Sequence, residues 1–298
     1  MSDRVLIIDF GSQVTQLIAR RVRELGVYCE IRPFTVSPEN IDGFEPGAII
    51  LSGGPSSVTN VEAPQPPPEI FNRGIPILGI CYGLHLLVHH SGGKVDSTGK
   101  GEYGFAEVVF EDDKAISKNM SLKSNVWMSH MDQVTKVPDD WKIIAKSSNG
   151  VIAGLVNKDQ TRIATQFHPE VSHTEEGNIL LKNFLFNIAK CEKNWTPNNL
   201  IDEQVKNIKQ QCNNEKIIVG VSGGVDSTVM ACLINKAVGH NCFAVLIDHG
   251  LLRKNEAKEC VDSLKNGLGI NIHLYDESEI FFSRLKGCLL YTSDAADE

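Results

Sequence analysis

A cysteine set between two glycines is the first sign of chemistry in this chain. In Gly79-Ile-Cys-Tyr-Gly, Cys81 follows the apolar run Ile75 to Ile80 and precedes a helical pattern. A nucleophile at such a join sits on a tight bend, where small neighbours on both sides avoid clashes. The thiolate is the reactive form of cysteine, and a helix N-terminus favours it by placing partial positive charge beside the sulfur. The Tyr82 N–H, at the start of that helix, is free to meet a developing oxyanion. Leu51-Ser-Gly-Gly-Pro, after another apolar run, offers a second donor. The Gly54 N–H is nominated for it, ahead of Gly53. His168 in Thr165-Gln-Phe-His-Pro-Glu is the base, and Glu170 reaches the ring nitrogen that faces away from the cysteine. Nucleophile, base and orienting carboxylate in those roles make a triad. A lone buried cysteine is ordinarily a small hydrophobe, and a lone His-Pro-Glu a surface turn. The reading changes because all three stretches end predicted strands of one sheet, the edge at which such sheets bind ligands.

A second loop suits phosphate. Ile217-Ile-Val-Gly-Val-Ser-Gly-Gly-Val-Asp-Ser-Thr reads as strand, glycine turn and helix start. Glycines let backbone N–H groups approach an anion, and the helix dipole favours it. The Walker A lysine is absent, and the spacing is not that of the dinucleotide-binding glycines. Two glycines alone would mark a turn; Ser-Gly-Gly-x-Asp-Ser directly after a strand is far more specific.

The elements that must position these residues alternate. Val5 to Ile8, Ala48 to Leu51 and Ile75 to Ile80 are buried-strand runs, and Val14 to Leu25 repeats apolar residues at helical spacing. That is the rhythm of a parallel sheet covered by helices. Ala63 to Pro68 is proline-rich and reads as a loop or a polyproline stretch. From Glu102 to Thr165 short strands take over: Phe105 to Phe110, Trp141 to Ala145, Val151 to Val156 and Ile163 to Thr165. Asn178 to Ala189 is a helix that buries Leu181, Phe184, Leu185 and Ile188. Glu192 to Asn199 is a linker, extended by a polar helix to residue 214. A second unit follows: strand Lys216 to Val221, loop Ser222 to Asp226, helix Ser227 to Val238, strand Cys242 to Ile247, helix Glu256 to Leu268 and strand Asn271 to Tyr275. The expected domains are therefore 1–191, a connecting stretch 192–214, and a partial domain 215–287. Residues 288–298 are out of place and resemble a translated adapter sequence, so they are set aside.

The bulk numbers agree with two globular domains. The chain has 298 residues, 42% hydrophobic and 22% charged, with a formal net charge of −8. That charge disfavours nucleic-acid polymers, though backbone N–H groups can still hold a free nucleotide. Eight cysteines lie scattered, with no Cys-x-x-Cys pair to suggest zinc. No apolar run approaches the length needed to span a bilayer, and the N-terminus enters a strand pattern without a signal-peptide core. These features point to a cytoplasmic protein with reduced thiols, in which the sequons at Asn119 and Asn194 are chance matches.

Leu51-Ser-Gly-Gly-Pro, Gly79-Ile-Cys-Tyr-Gly and Phe167-His-Pro-Glu resemble the three signatures of the class I (triad) glutamine amidotransferases. The resemblance implies a flavodoxin-like α/β fold, a mixed open sheet flanked by helices. It implies that Cys81 attacks the glutamine side-chain amide, that a γ-glutamyl thioester forms and ammonia leaves, and that water releases glutamate. Trp127-Met-Ser-His-Met-Asp resembles the substrate-holding segment, so Ser129 and His130 are expected glutamine contacts. Many members carry glutamine where this chain has His85, one turn beyond Cys81, and His85 is expected to face the substrate as well. The loop Ser222, Gly223, Gly224, Val225, Asp226, Ser227 and Thr228 resembles the PP-loop of the ATP pyrophosphatases. That implies part of a Rossmann-like parallel α/β domain which grips the pyrophosphate of ATP, with Asp226 assisting Mg²⁺; a plain helix cap is the alternative for Asp226.

Leu246-Ile-Asp-His-Gly-Leu-Leu-Arg-Lys-Asn-Glu resembles the corresponding segment of the GMP synthase family. For that family the resemblance implies xanthosine monophosphate (XMP) as the acceptor. XMP is adenylated by ATP and aminated to GMP, with release of AMP and diphosphate, in a homodimer joined through a later region. A member of that family is expected to continue well past residue 298, so this stretch alone is expected to carry the glutaminase chemistry only. The alternatives are a different triad amidotransferase, which would not use the PP-loop, and a regulatory module with a decayed triad, which would not need Cys81, His168 and Glu170 intact. A peptidase on the same elbow would have no use for an ATP loop. Asparagine synthetases, which need an N-terminal cysteine, are set aside because Ser2 follows the start methionine.

Overall fold

Apolar runs too short for a helix and bounded by glycine or proline become the central strands of a sheet, because both of their faces can be buried. The computed structural model describes residues 3–111, 116–213 and 215–288. It divides after Thr196 into two compact units. Residues 289–298, within the stretch read as foreign, lie outside the described residues.

In the first unit β1 (Arg4–Asp9), β3 (Ala48–Leu51), β4 (Ile77–Ile80) and β9 (Arg162–Thr165) run parallel side by side, with β2 (Tyr28–Pro33) on the outer edge beside β1. The order β2-β1-β3-β4-β9 is that of a flavodoxin-like open sheet. It continues antiparallel through β8 (Ile152–Asn157), β7 (Trp141–Ser147), β5 (Lys94–Phe110) and β6 (Lys123–Lys136), making nine strands in all. Alternation along β1 sends Val5 and Ile7 to one core and Leu6 and Ile8 to the other. Over the first face pack α1 (Thr15–Glu24), through Ile18, Ala19 and Val22, and α5 (Gly177–Asn183). Over the second pack α2 (Pro38–Phe44), capped by the Ser37 hydroxyl, and α4 (Tyr82–His90). Each buried aliphatic side chain contributes roughly 1.5–3 kcal/mol through its removal from water.

Several elements depart from the sequence expectation. β2 carries Glu30 and Arg32, which a sheet edge tolerates and an apolar-run criterion passes over. β5 is 17 residues long, not the short strand Phe105 to Phe110; Gly99, Gly101 and Gly104 mask its pattern. β6, its antiparallel partner, buries Ser124 and His130 among apolar residues, so its alternation is hidden by polar types. The helix after Gly177 turns into a π-turn at Phe184–Ile188, and the wider turn leaves Ile188 half-buried while Leu180 and Ala189 are buried.

The second unit opens with α6 (Pro197–Cys212). A three-stranded parallel sheet follows, β10 (Ile217–Gly220), β11 (Cys242–Asp248) and β12 (Ile272–Asp276), in that order. Its helices are α7 (Val225–Val238), α8 (Glu256–Asp262) and α9 (Ser278–Leu285). Val219, Ala244, Leu246 and Ile272 form its core with Ala231, Ala257 and Leu264 of the helices. Among the described residues of the chain no helix is long and apolar enough to cross a membrane.

The contact that fixes where α4 leaves the sheet is between glycines. A β-carbon on Gly83 would run into the Leu51 carbonyl oxygen and lie 2.7 Å from the Leu51 Cβ, and one on Gly79 would lie 2.6 Å from the Gly83 carbonyl carbon. Backbone therefore packs on backbone here. Gly83→Ala is expected to lower unfolding stability by about 1–3 kcal/mol or more, as other overpacked sites do. A urea unfolding midpoint equal to that of the unaltered chain would contradict this.

Candidate active site

Four parallel strands deliver their ends to one rim of the first sheet. β1 leads into Gly11-Ser12, β3 into Ser52-Gly53-Gly54, β4 into Cys81 and β9 into Gln166-Phe167-His168. Cys81 joins β4 to α4 with φ 52° and ψ −100°, a conformation that L-residues rarely adopt. Two hydrogen bonds hold it there. The Cys81 N–H donates to the Thr165 carbonyl at 2.7 Å, and the His85 N–H donates to the Cys81 carbonyl at 3.2 Å. The strain of about 1–3 kcal/mol lifts the thiol clear of both strand and helix.

His168 lies beside this sulfur, and Glu170 beside the ring. The His168 Nδ1–H donates to Glu170 Oε1 at 2.7 Å, and the Cys81 side chain lies beside the ring. The two are so close that a β-carbon on Gly53 would lie 3.0 Å from His168 Cε1 and 3.7 Å from Cys81 Cβ. A side chain at that position would crowd the ring. Burial alone would depress the His168 ring, but the Cys81 sulfur and the Glu170 carboxylate outweigh it, and the ring is pushed up to about 10. Glu170 is fully buried, with Oε2 lacking a protein partner and its backbone carbonyl accepting from Arg21 Nε at 3.2 Å. Thr174, which the sequence reading did not single out, pins the segment: its hydroxyl donates to the His168 carbonyl at 2.6 Å and accepts from the Trp127 N–H at 3.1 Å.

Two clefts open on either side of Cys81. One, of about 320 Å³, is lined by Gly54, Tyr82, His85, Ser129 and His130 among others. This brings every residue nominated as an oxyanion donor or glutamine contact to one wall. The other, of about 440 Å³, is lined by Gly11, Ser12, Gln13, Trp127 and His168, and shares Gly54, Pro55, Cys81 and Ser129 with the first. Tyr82 is the first residue of α4, so its N–H has no intrahelical acceptor. The Ser129 carbonyl lies 3.6 Å from the sulfur. His130 is buried, its Nδ1–H donating to the Asp132 carbonyl at 3.0 Å; burial pushes its ring below the ordinary histidine value. Its Nε2 lies 3.7 Å from Glu102 Oε2. His85 is buried too, and its Nε2 is 2.9 Å from Gln166 Oε1. Gln166 was missed as a site residue although it stands inside the quoted signature, because an amide offers no nucleophile or base to look for.

In the second unit the loop after β10 is exposed and turns at Gly223, φ 82°. α7 begins at Val225, two residues before the expected start, with Gly224 as its N-cap. The hydroxyls of Ser227 and Thr228 donate to the Gly224 carbonyl at 3.2 and 2.8 Å, and the Ser222 N–H donates to Ser227 Oγ at 3.2 Å. The turn is thereby braced from inside, and the N–H groups of Val225, Asp226 and Ser227, which precede intrahelical pairing, head the helix. Asp226 lies in the first turn and is not the cap.

Comparison with known proteins supplies independent findings. Residues 6–188 match the family model described as glutamine amidotransferase class-I, and residues 198–292 the one described as NAD synthase. The chain is 47% identical over 285 residues to a protein named GMP synthase [glutamine-hydrolyzing] of Brachyspira hyodysenteriae, covering 96% of this chain and 55% of the relative. It is 48% identical over 284 residues to the protein of that name from Fusobacterium nucleatum, covering 95% and 55%. A crystal structure assigned to a GMP synthase subunit from Thermoplasma acidophilum superposes with a TM-score of 0.56 at 30% identity, over 63% of this chain and 94% of that one. The chain thus spans about half the length of the curated relatives it matches.

The raised His168 value makes a pH-dependent contribution to stability. A group whose folded value lies above its unfolded one stabilises fully below the latter, near 6.5. That contribution fades as pH rises through the folded value of about 10. The stability gap between the unaltered chain and His168→Gln, read by urea unfolding, is expected to be widest near pH 6 and to shrink toward pH 10. A gap constant across that window would contradict the coupling.

Proposed function

The chain belongs to the class I glutamine amidotransferases, and from that premise we propose that its first unit hydrolyses glutamine with Cys81, His168 and Glu170 as the triad. The observation that carries this reading is one arrangement: a thiol on a strained elbow, beside an imidazole whose Nδ1 is anchored at 2.7 Å by a buried carboxylate. The elevated His168 value favours a protonated imidazole beside the sulfur at neutral pH. The thiolate attacks the side-chain amide carbon of glutamine, held in the 320 Å³ cleft by Ser129, His130 and its neighbours. The N–H groups of Tyr82 and Gly54 receive the developing oxyanion. His168 hands its proton to the departing nitrogen, the C–N bond breaks and ammonia leaves. Water, deprotonated by the same ring, then opens the γ-glutamyl thioester to give glutamate and the free thiolate.

The second unit uses ATP. The braced loop Ser222 to Thr228 at the head of α7 suits the pyrophosphate. Among the described residues no cluster of three or more metal-ligating side chains exists. Mg²⁺ would be held by Asp226 together with the nucleotide phosphates, the usual arrangement for that ion. In the whole protein we assign the joint reaction of a GMP synthase: adenylation of XMP by ATP, then displacement of AMP by the ammonia from glutamine. The names of the relatives and the pairing of the two family matches support it. The same resemblance supports a cytoplasmic enzyme of free nucleotides, working as a homodimer, with no nucleic-acid polymer and no membrane as partner.

Glutamate release by the 298-residue chain tests the first part. Cys81→Ala is expected to reduce it about a thousandfold or more, as loss of a covalent nucleophile does. Undiminished release from Cys81→Ala, or none from the unaltered chain, would overturn the assignment. For the second unit, Gly223→Val places a branched side chain where φ is 82°. It is expected to weaken ATP binding at least about tenfold, read by calorimetry, while glutamate release is retained.

A further inference from the structure

The Cys81 sulfur has a neighbour that the triad does not use. Gln166 is fully buried, and its amide Nε2 lies 3.8 Å from the Cys81 Sγ, the range of a weak N–H···S bond. Its Oε1 lies 2.9 Å from His85 Nε2. His85 is 3% exposed and stands one turn along α4 from the nucleophile, to whose carbonyl its own N–H donates.

The two ends of an amide have similar shape and opposite polarity, so what an amide does to a sulfur depends on which end faces it. The NH₂ end donates to a thiolate and stabilises it; the oxygen end repels it. The choice matters here because the sulfur already faces an acceptor, the Ser129 carbonyl at 3.6 Å. Burial disfavours the charged ring of His85, so it carries one proton, for which Gln166 and the Asp132 backbone are the alternative partners. With that proton on Nε2 the ring donates to Gln166 Oε1 and turns the NH₂ end toward Cys81. A side chain without a donor at position 85 leaves the amide free to invert.

We propose that His85 is a positioning residue that acts through Gln166: its Nε2–H fixes the Gln166 amide so that the NH₂ group supports the Cys81 thiolate. This departs from the sequence expectation that His85 contacts glutamine itself, because its Nε2 is engaged by Gln166 Oε1 at 2.9 Å. A glutamine in place of His85 also carries a donor and serves the same purpose. The kinetic part of the proposal rests on the glutaminase reading; the part concerning the sulfur does not.

The test is the pH dependence of Cys81 alkylation by iodoacetamide in the 298-residue chain, located by peptide mass spectrometry, together with glutamine kinetics. His85→Leu is expected to move the alkylation midpoint up by about half a pH unit, the scale of one modest hydrogen bond. His85→Gln is expected to hold the midpoint near that of the unaltered chain. Gln166→Glu, close in shape but placing a carboxylate beside the sulfur, is expected to raise it by about one unit. In kinetics His85→Leu lowers kcat and leaves KM for glutamine within about twofold. The proposal is overturned if His85→Leu leaves the midpoint in place, if His85→Gln moves it equally far, or if the kinetic loss falls in KM. Should His85→Leu fail to fold by thermal unfolding, Gln166→Glu decides alone, and an unmoved midpoint sinks the idea. Absence of glutaminase in the unaltered chain would defeat the functional reading and still leave the alkylation midpoints to judge this one.

Discussion

Cys81 holds its backbone at φ 52°, which costs a non-glycine residue about 1–3 kcal/mol, and the surrounding sheet is arranged so that this cost can be borne. The residue is clamped from both sides, by β9 through its N–H and by α4 through its carbonyl. α4 in turn lies against β3 and β4 at a distance that only glycines permit, with Gly83 on Leu51 and Gly79 on Gly83. Relaxing the elbow would require those backbones to separate, and the fully buried aliphatic layers above and below them resist that. The reactive position of the sulfur is thus a consequence of the core.

The same clamp sets the electrostatics. β9 ends beside β4, so His168 arrives next to the sulfur. The turn through Pro169 brings Glu170 back under the ring at 2.7 Å. A buried carboxylate and a buried imidazole are each costly alone; paired, with a thiolate on the far side, they favour a charged ring. The neighbouring histidines behave differently. His85 and His130 are also buried, but their hydrogen-bond partners are an amide and a backbone carbonyl, and burial prevails. Three buried histidines are therefore shifted in different directions according to what lies beside each ring, although His130 too has a carboxylate, Glu102, at 3.7 Å.

The second unit solves another problem with related means. Its loop also joins a parallel strand to a helix, yet it stays exposed, is braced by hydroxyls, and takes its positive φ at a glycine. A turn that presents several N–H groups at once favours a relaxed backbone. A nucleophile needs one atom raised above its surroundings, which a strained backbone supplies.

Much of this was legible in the residue order. Short apolar runs bounded by glycine or proline gave the parallel strands, because strands buried on both faces must be apolar throughout. Glycines two residues either side of a cysteine marked the elbow, because local sterics restrict what can stand there, and His-Pro-Glu marked an imidazole and a carboxylate that pair. β2 and β6 escaped notice because edge position and buried polar residues remove the apolar signal. The long β5 escaped because its glycines break the alternation. Tertiary structure alone decided which groups face one another across strands distant in sequence. It set Gln166 between His85 and Cys81, put Thr174 under the His168 backbone, and gave the sulfur two clefts. Those are questions of register and side-chain direction between separate elements, and a linear pattern carries no information on the distance between residues that only folding brings together.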